Sequence, residues 1–220
     1  MQTGTTKRRR AARQGAPQPS PWQPAHERVR QRELKREAVI LAAARAFKER
    51  GLQQTTIDDI AAFLNVTIYY YLANKEQIIY ECFRAGIGEI KAKLDELDRS
   101  QASGRDKLLA LLERYAEVMA SDFGWCMVRI EEQELGRVLG AKIKQLKSQI
   151  DQGLRRLIGA GIADGSIREC DAKMTAFALA GAMNWIGHWY RAGEQLSPGE
   201  IAARFSELFV QGLRPAAAAT

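Results

Sequence analysis

Long apolar runs are missing from this 220-residue chain. Its most apolar segment, Met174 to Ile186, falls well short of the roughly 20 residues that a bilayer-crossing helix requires, so no membrane partner is expected. Histidine is scarce, with only His26 and His188. The three cysteines, Cys82, Cys126 and Cys170, lie far apart, and no CxxC pair or Cys/His cluster is present. That pattern argues against a zinc site and for a reduced, cytoplasmic home without a cofactor. No phosphate loop, GxSxG elbow or metal signature occurs, and Cys126 has no histidine near it in sequence. A nucleophile, a base and an orienting group within reach of one another are therefore not assembled, and an enzyme is not expected. The basic amino terminus is followed by no apolar stretch, so it is not read as a secretory signal.

Charge, in contrast, is concentrated at one end. Residues 1–36 hold ten Lys/Arg against Glu27 and Glu33, a balance of +8, whereas the whole chain is +7, leaving −1 for residues 37–220. Such a basic end suits a polyanion, although a solubilising tail has the same composition. Hydrophobic content of 46% excludes a wholly disordered protein. Residues 1–24, with Pro17, Pro19, Pro21 and Pro24, are expected to be a disordered arm, and residues 214–220 a disordered tail.

Between these ends no segment sustains strand alternation, and the fold class expected is all-α. A helix over about Glu27–Arg50 carries Val39, Ala43, Ala46 and Phe47 on its apolar stripe and stops at Gly51. Thr56 can cap a second helix, with Asp58 and Asp59 on the favourable side of its dipole and Ile57, Ile60, Ala61 and Leu64 inward. Thr67 can cap a very short third helix that holds three tyrosines. Asn74 caps a fourth, with Gln77 at the reciprocal position of a capping box, running to about Asp98. Further helices are expected near Asp106–Ser121, Trp125–Leu135 and Leu139–Ala163, where Leu139, Ile143, Leu146, Ile150, Leu154 and Leu157 recur at helical spacing. Helices near Asp171–Arg191 and after "SPGE" (Ser197–Glu200) complete the chain. The former is apolar on nearly every side and so calls for cover all round.

Two short helices joined by a tight turn, behind a longer helix and beside a basic arm, form a helix-turn-helix. With "AAxxxFxxxG" (Ala42–Gly51), "TTIDDIA" (Thr55–Ala61) and "TIYYYLANKE" (Thr67–Glu76), residues 38–83 resemble the DNA-binding domain of the TetR/AcrR family of repressors. The resemblance implies 25–73 as the DNA-binding domain and 74–213 as a ligand-binding and dimerisation domain. It implies that Thr56 and Thr67 bond phosphates, that Tyr69 places its phenol on the DNA backbone, that Tyr70 and Tyr71 face or flank the groove, and that Lys75 pairs with a phosphate. Hydroxyls, helix amino termini and a lysine are the groups that register a protein on a duplex. Plain amphipathic packing at a helix edge is the alternative for each tyrosine.

The chain departs from the family between its turn and its tyrosines. Members carry a pattern such as V-S/T-K-G/P-T-L-Y-Y-Y, whereas this chain reads Val66, Thr67, Ile68, Tyr69. Three residues are fewer, in the turn that reaches base edges, and their loss rotates what precedes the gap by roughly 300°. The phosphate-positioning groups survive while the base readers are lacking. A dimeric effector-binding or interaction protein that no longer reads specific DNA is therefore the alternative to a working repressor.

Residues 104–213 match the family's variable regulatory region, and "GAMNWIGHWYRAGEQLSPGEIAARFSELFVQGL" (Gly181–Leu213) resembles the last two helices of acyl-CoA-responsive members. The resemblance implies a homodimer through those helices, with Ala178, Ala182, Phe205 and Phe209 at the interface, and a small apolar effector, an acyl-CoA first. Phe123, Trp125, Met127, Phe177, Asn184, Trp185 and His188 are the candidate effector residues. Asn184 and His188 lie four apart on one helix face, where a buried polar pair can orient a ligand; bonds to neighbouring backbone or to the partner serve equally. Phe123, Trp125 and Met127 fit a pocket mouth or ordinary core. Arg129, Arg155 and Arg156 are available to an anion, or are simply solvated.

Overall fold

The computed structural model describes residues 25–64, 74–130, 135–191, 193 and 196–213. Among them are eight helices and no strand: α1 (Ala25–Arg50), α2 (Ile57–Leu64), α3 (Lys75–Leu97), α4 (Gly104–Ala120), α5 (Asp122–Met127), α6 (Arg137–Ala163), α7 (Ala172–Trp189) and α8 (Pro198–Leu213). The expected arm (1–24) and tail (214–220), and the tyrosine helix with Thr67, Tyr69, Tyr70 and Tyr71, lie outside the described residues.

The chain divides into two compact units, Met1–Lys35 and Arg36–Thr220, and α1 runs through the boundary. In the first unit, helical residues 26–35 are almost all exposed, Val29 and Leu34 included. The absence of an apolar stripe there fits a sequence dominated by Arg28, Arg30, Arg32 and Lys35.

In the second unit one core runs from Val39 and Phe47 of α1 through Ile60, Ile78, Phe83 and Leu112 to Leu154, Met183 and Ile201. Local signals set the helix ends. Gly51 stops α1 at φ 88°, the left-handed region that costs glycine little. Asn74 Oδ1 accepts from Gln77 N at 2.8 Å and starts α3. Ser197 and Glu200 bond reciprocally at the head of α8, through Ser197 N to Glu200 Oε2 (2.7 Å) and Glu200 N to Ser197 Oγ (3.3 Å). Gly104 at the head of α4 lies so close to the backbone of Gly161 in α6 that a Cβ there has no room. That approach lets Gly104 N donate to Asp164 Oδ2 at 2.7 Å, tying the two helices at one end.

Two expectations need correction. Gln77 does not return a bond to Asn74; its amide donates to Glu81 Oε1 at 2.9 Å, where a buried carboxylate is the stronger acceptor. Helix α5 ends at Met127 rather than near Leu135. Within the chain α7 buries Ala176, Leu179, Met183, Ile186 and Gly187 and leaves Met174, Phe177, Trp185 and Trp189 exposed.

Candidate nucleic-acid interface and effector region

The head of α2 is built from a two-way bond. Asp59 N donates to Thr56 Oγ1 at 3.1 Å, and Thr56 N and Oγ1 donate to Asp59 Oδ2 at 2.9 and 2.6 Å. These bonds from Thr56, with Arg50 at 3.0 Å adding to them, hold the Asp59 carboxyl below its ordinary range. Thr56 is exposed, and its hydroxyl is committed to Asp59 within the chain. Thr55, which sequence reasoning passed over, is buried and donates to Gly51 O at 2.8 Å, closing the α1–α2 turn. The expected phosphate ligand Lys75 begins α3 and reaches back to Gln53 O at 3.2 Å. Thr56 and Lys75 therefore flank one α1–α2 turn.

Behind this surface α1 is fastened to α3 and α5. Arg36 meets Glu81 at 2.6 Å, and Arg84 meets the same carboxylate at 2.7 Å. Arg45 and Lys48 converge on Asp122, at 3.2 and 3.0 Å. The Cys82 thiol donates to Ile40 O at 3.5 Å, and Cys126 faces Ala44 O one turn along. Contact with Cys126 and burial push the Cys82 thiol well up. Neither thiol is exposed, so both act as small core residues. Except for Arg84 and Glu81, three apart on α3, none of these partners was evident in the sequence, because each joins residues more than forty positions apart.

The candidate effector residues are not gathered around one cavity. Met127 is buried and, with Phe123, fills the space beside Gly86 of α3 where a Cβ would collide. Trp125 lies under the guanidinium of Arg129, 4.5 Å from its ring centroid. Phe177 is exposed between Arg155 and Lys173. Asn184 and His188 are both exposed on the chain. Asn184 Oδ1 accepts from the buried Tyr115 hydroxyl at 2.9 Å, and the His188 ring lies 5.1 Å from that of Trp185. Burial pushes the Tyr115 phenol up to about 12, against the opposing Asn184 bond.

The three arginines are engaged as well. Arg155 pairs with Asp151 at 2.6 Å and Arg156 with Asp98 at 2.8 Å. Arg129 donates to Gly187 O (2.9 Å) and His188 O (3.3 Å), fastening α5 to the carboxyl end of α7. Burial and the neighbouring Arg191 lower its pKa.

Two clefts flank α3. One, of about 490 Å³ between α3 and α4, is walled by Glu89, Glu96, Glu113, Glu117, Lys93 and Arg114; Arg114 reaches across it to Glu89, while Lys93–Glu96 and Arg114–Glu117 pair along their own helices. The other, of about 220 Å³ between α3 and α6, is mainly apolar. None of the seven candidate effector residues lines either cleft. No group of three or more His, Cys, Asp or Glu that could hold a metal, and no helix long and apolar enough to cross a membrane, occurs among the described residues.

Sequence profiles of two described families match this chain. "Bacterial regulatory proteins, tetR family" covers residues 39–82, and "Tetracyclin repressor-like, C-terminal domain" covers residues 101–213. The chain belongs to the TetR family. It is accordingly a helix-turn-helix transcription regulator and not an enzyme. The HTH-type transcriptional repressor KstR2 of Rhodococcus jostii is 28% identical over 179 residues, 78% of this chain and 87% of that protein. In fold the TetR-family chain resembles the regulator PfmR of Thermus thermophilus, with a TM-score of 0.73 at 23% identity over 80% of this chain and 98% of that one. It also resembles AibR solved with isovaleryl coenzyme A and operator DNA, with a TM-score of 0.68 at 23% identity over 79% of this chain and 96% of that one.

Proposed function

We propose that the chain is a homodimeric, cytoplasmic repressor that releases a DNA operator when it binds a small apolar catabolic metabolite, an acyl-CoA being the first candidate. Residues 25–73 serve the duplex, and residues 74–213 serve the effector and the partner. The observation that carries this reading is the shared core: Cys126 of α5, in the stretch that matches the C-terminal domain, and Cys82 of α3 reach the α1 carbonyls of Ala44 and Ile40 in the stretch that matches the tetR-family regulatory proteins. A strain imposed on α3 or α5 thus reaches the DNA-binding segment through packed atoms. The isovaleryl coenzyme A bound by AibR supports the effector class. An exposed apolar stripe on α7, Met174, Phe177, Ala178 and Trp185, supports the dimer, and Leu208 of α8 is exposed as well.

The test is a gel shift on the intergenic DNA upstream of the gene, repeated with a panel of acyl-CoAs, free acids, steroids and aromatic acids. Retardation relieved by one class supports the reading; retardation that no member relieves rejects the effector class. One observation favours a second reading. The three residues fewer before Tyr69 remove the turn that meets base edges, which suits a dimeric effector-binding protein without specific DNA readout. Equal retardation of operator and scrambled DNA supports that alternative.

A further inference from the structure

The cleft between α3 and α6 combines an apolar floor with a cationic rim. Ile87 on α3 and Leu146 and Ile150 on α6 form the floor, and Arg84 and Lys91 stand one on each side of Gly88 along α3. The rim carries unbalanced positive charge. Arg84 shares the single Glu81 carboxylate with Arg36, so two guanidinium groups meet one acid. Lys91 has only the exposed Asp95, at 3.6 Å, a pair that solvent screens strongly. A floor that rejects water beneath cations that lack a full counter-charge fits an amphiphilic anion. Size narrows the class: a volume of about 220 Å³ holds roughly seven water-sized groups at the ~30 Å³ a water takes in the liquid, room for a short chain and not a long one.

We infer that this cleft binds the effector, and that the effector is, in place of the acyl-CoA put first above, a free aliphatic carboxylate of about five or six carbons, its chain on Ile87, Leu146 and Ile150 and its carboxylate at Arg84 and Lys91. The cations stand at the mouth itself, where a free carboxylate ends; a coenzyme A thioester places its phosphates far beyond them. The site also has mechanical reach. Its α3 wall carries Glu81, which holds Arg36 of α1, and Lys75, which holds Gln53 O in the α1–α2 turn. Its two walls are tied at one end, where Gly136 N donates to Glu76 Oε2 at 3.2 Å. An acid wedged between α3 and α6 therefore acts on the helix that fixes α1.

This assignment rests on the reading of the chain as an effector-responsive regulator, and one set of variants separates the two. A Cβ at Gly88 meets nothing within 4 Å, so Gly88→Leu fills the cleft without collision and replaces glycine with a better helix former. The full chain, Gly88→Leu and Lys91→Gln are titrated calorimetrically with hexanoate, decanoate and hexanoyl-CoA, with a melting curve for each protein. Hexanoate is expected to bind the unmodified chain more tightly than the other two. Gly88→Leu should lose at least tenfold in affinity while melting no lower, and Lys91→Gln should lose about threefold to tenfold. Undiminished hexanoate binding to Gly88→Leu, or tighter binding of decanoate or of the thioester, overturns the assignment. If an acyl compound releases operator DNA from the unmodified chain and from Gly88→Leu alike, the regulator reading stands and the cleft is wrong. If hexanoate binds in a Gly88-dependent manner but the chain retards no DNA, the cleft stands and the regulator reading falls.

Discussion

Arg36 of α1 meets the carboxylate of Glu81 of α3 at 2.6 Å, on a residue only 4% exposed. Glu81 also accepts from Arg84 and Gln77, so three donors depend on one buried acid. Its position makes it the electrostatic link between α1 and α3. Removing one partner of a buried pair is costlier than removing an exposed one, because the groups left behind lose their partner. Here the arginines are partly exposed and can rehydrate, which lowers the penalty. Glu81→Ala should cost about 1–3 kcal/mol in urea denaturation, whereas Arg84→Gln should cost under about 1 kcal/mol. Hydrogen exchange in α1 should accelerate in the Glu81 variant and stay unchanged in the Arg84 variant.

The head of α2 gives a pH prediction. The folded-state carboxyl of Asp59 is held below its ordinary value, first by the bonds from Thr56 and then by Arg50. A depressed carboxyl contributes stability that is present above the unfolded value, about 3.9, and is lost as pH falls through the lower folded value. The α2 cap should therefore loosen only below about pH 4. In an NMR titration, Thr56→Val should move the Asp59 midpoint upward by more than Arg50→Gln does. The opposite order would mean that the Arg50 charge, not the cap, sets the carboxyl.

Local chemistry made much of the fold legible. Gly51, Asn74, Ser197 and Glu200 act within four residues of themselves, so their turns and caps follow from spacing alone. The stripe from Leu139 to Leu157 likewise predicted α6, with Ile143, Ile150, Leu154 and Leu157 buried. The candidate effector site was less legible. Asn184 looked like half of a buried pair with His188, but its partner is Tyr115, 69 positions away. Arg155 and Arg156 looked available, but each has an acid. Glu81 and Asp122, which fasten α1, gave no pattern at all, because an acid that meets two cations from other helices looks in sequence like any surface acid. Nor does spacing along the chain show that α1 shares the core of the later helices through Val39, Ile40, Ala44 and Phe47.

The exposed face of α7 gives a third prediction. Trp185 is 62% exposed and Leu208 of α8 is 63% exposed, with Met174, Phe177 and Ala178 along the same stripe. A second copy offering the same stripe buries it by two-fold symmetry. Trp185→Arg places a charge at its centre and should yield a soluble monomer in sedimentation, while the unmodified chain sediments as a dimer. Leu208→Arg should weaken the dimer in the same direction. A unmodified chain that sediments as a monomer at micromolar concentration would remove this interface.

The last prediction concerns the stretch from Val66 to Tyr71, for which the resemblance to the family implies three residues fewer before the tyrosines. Phosphate contacts need only hydroxyls, backbone amides and charge, and Thr56 and Lys75 flank the α1–α2 turn. Base contacts need side chains that reach the groove from the first turn of the recognition helix, and each good bidentate contact discriminates by about 1–3 kcal/mol. The chain as it stands should therefore favour its operator only modestly over random DNA. Its affinity should fall steeply with salt, the logarithmic slope being about −0.9 per phosphate neutralised. Inserting Thr-Lys-Pro next to Thr67 should raise the ratio of operator to scrambled-duplex affinity at least tenfold, since one restored base contact is worth about that factor. The salt slope should change little, because the phosphate contacts stay the same. Competition binding of both versions at two salt concentrations measures the two quantities separately. A thousandfold preference for the operator in the chain without the insertion would defeat the argument and make Tyr69, Tyr70 and Tyr71 themselves the base readers.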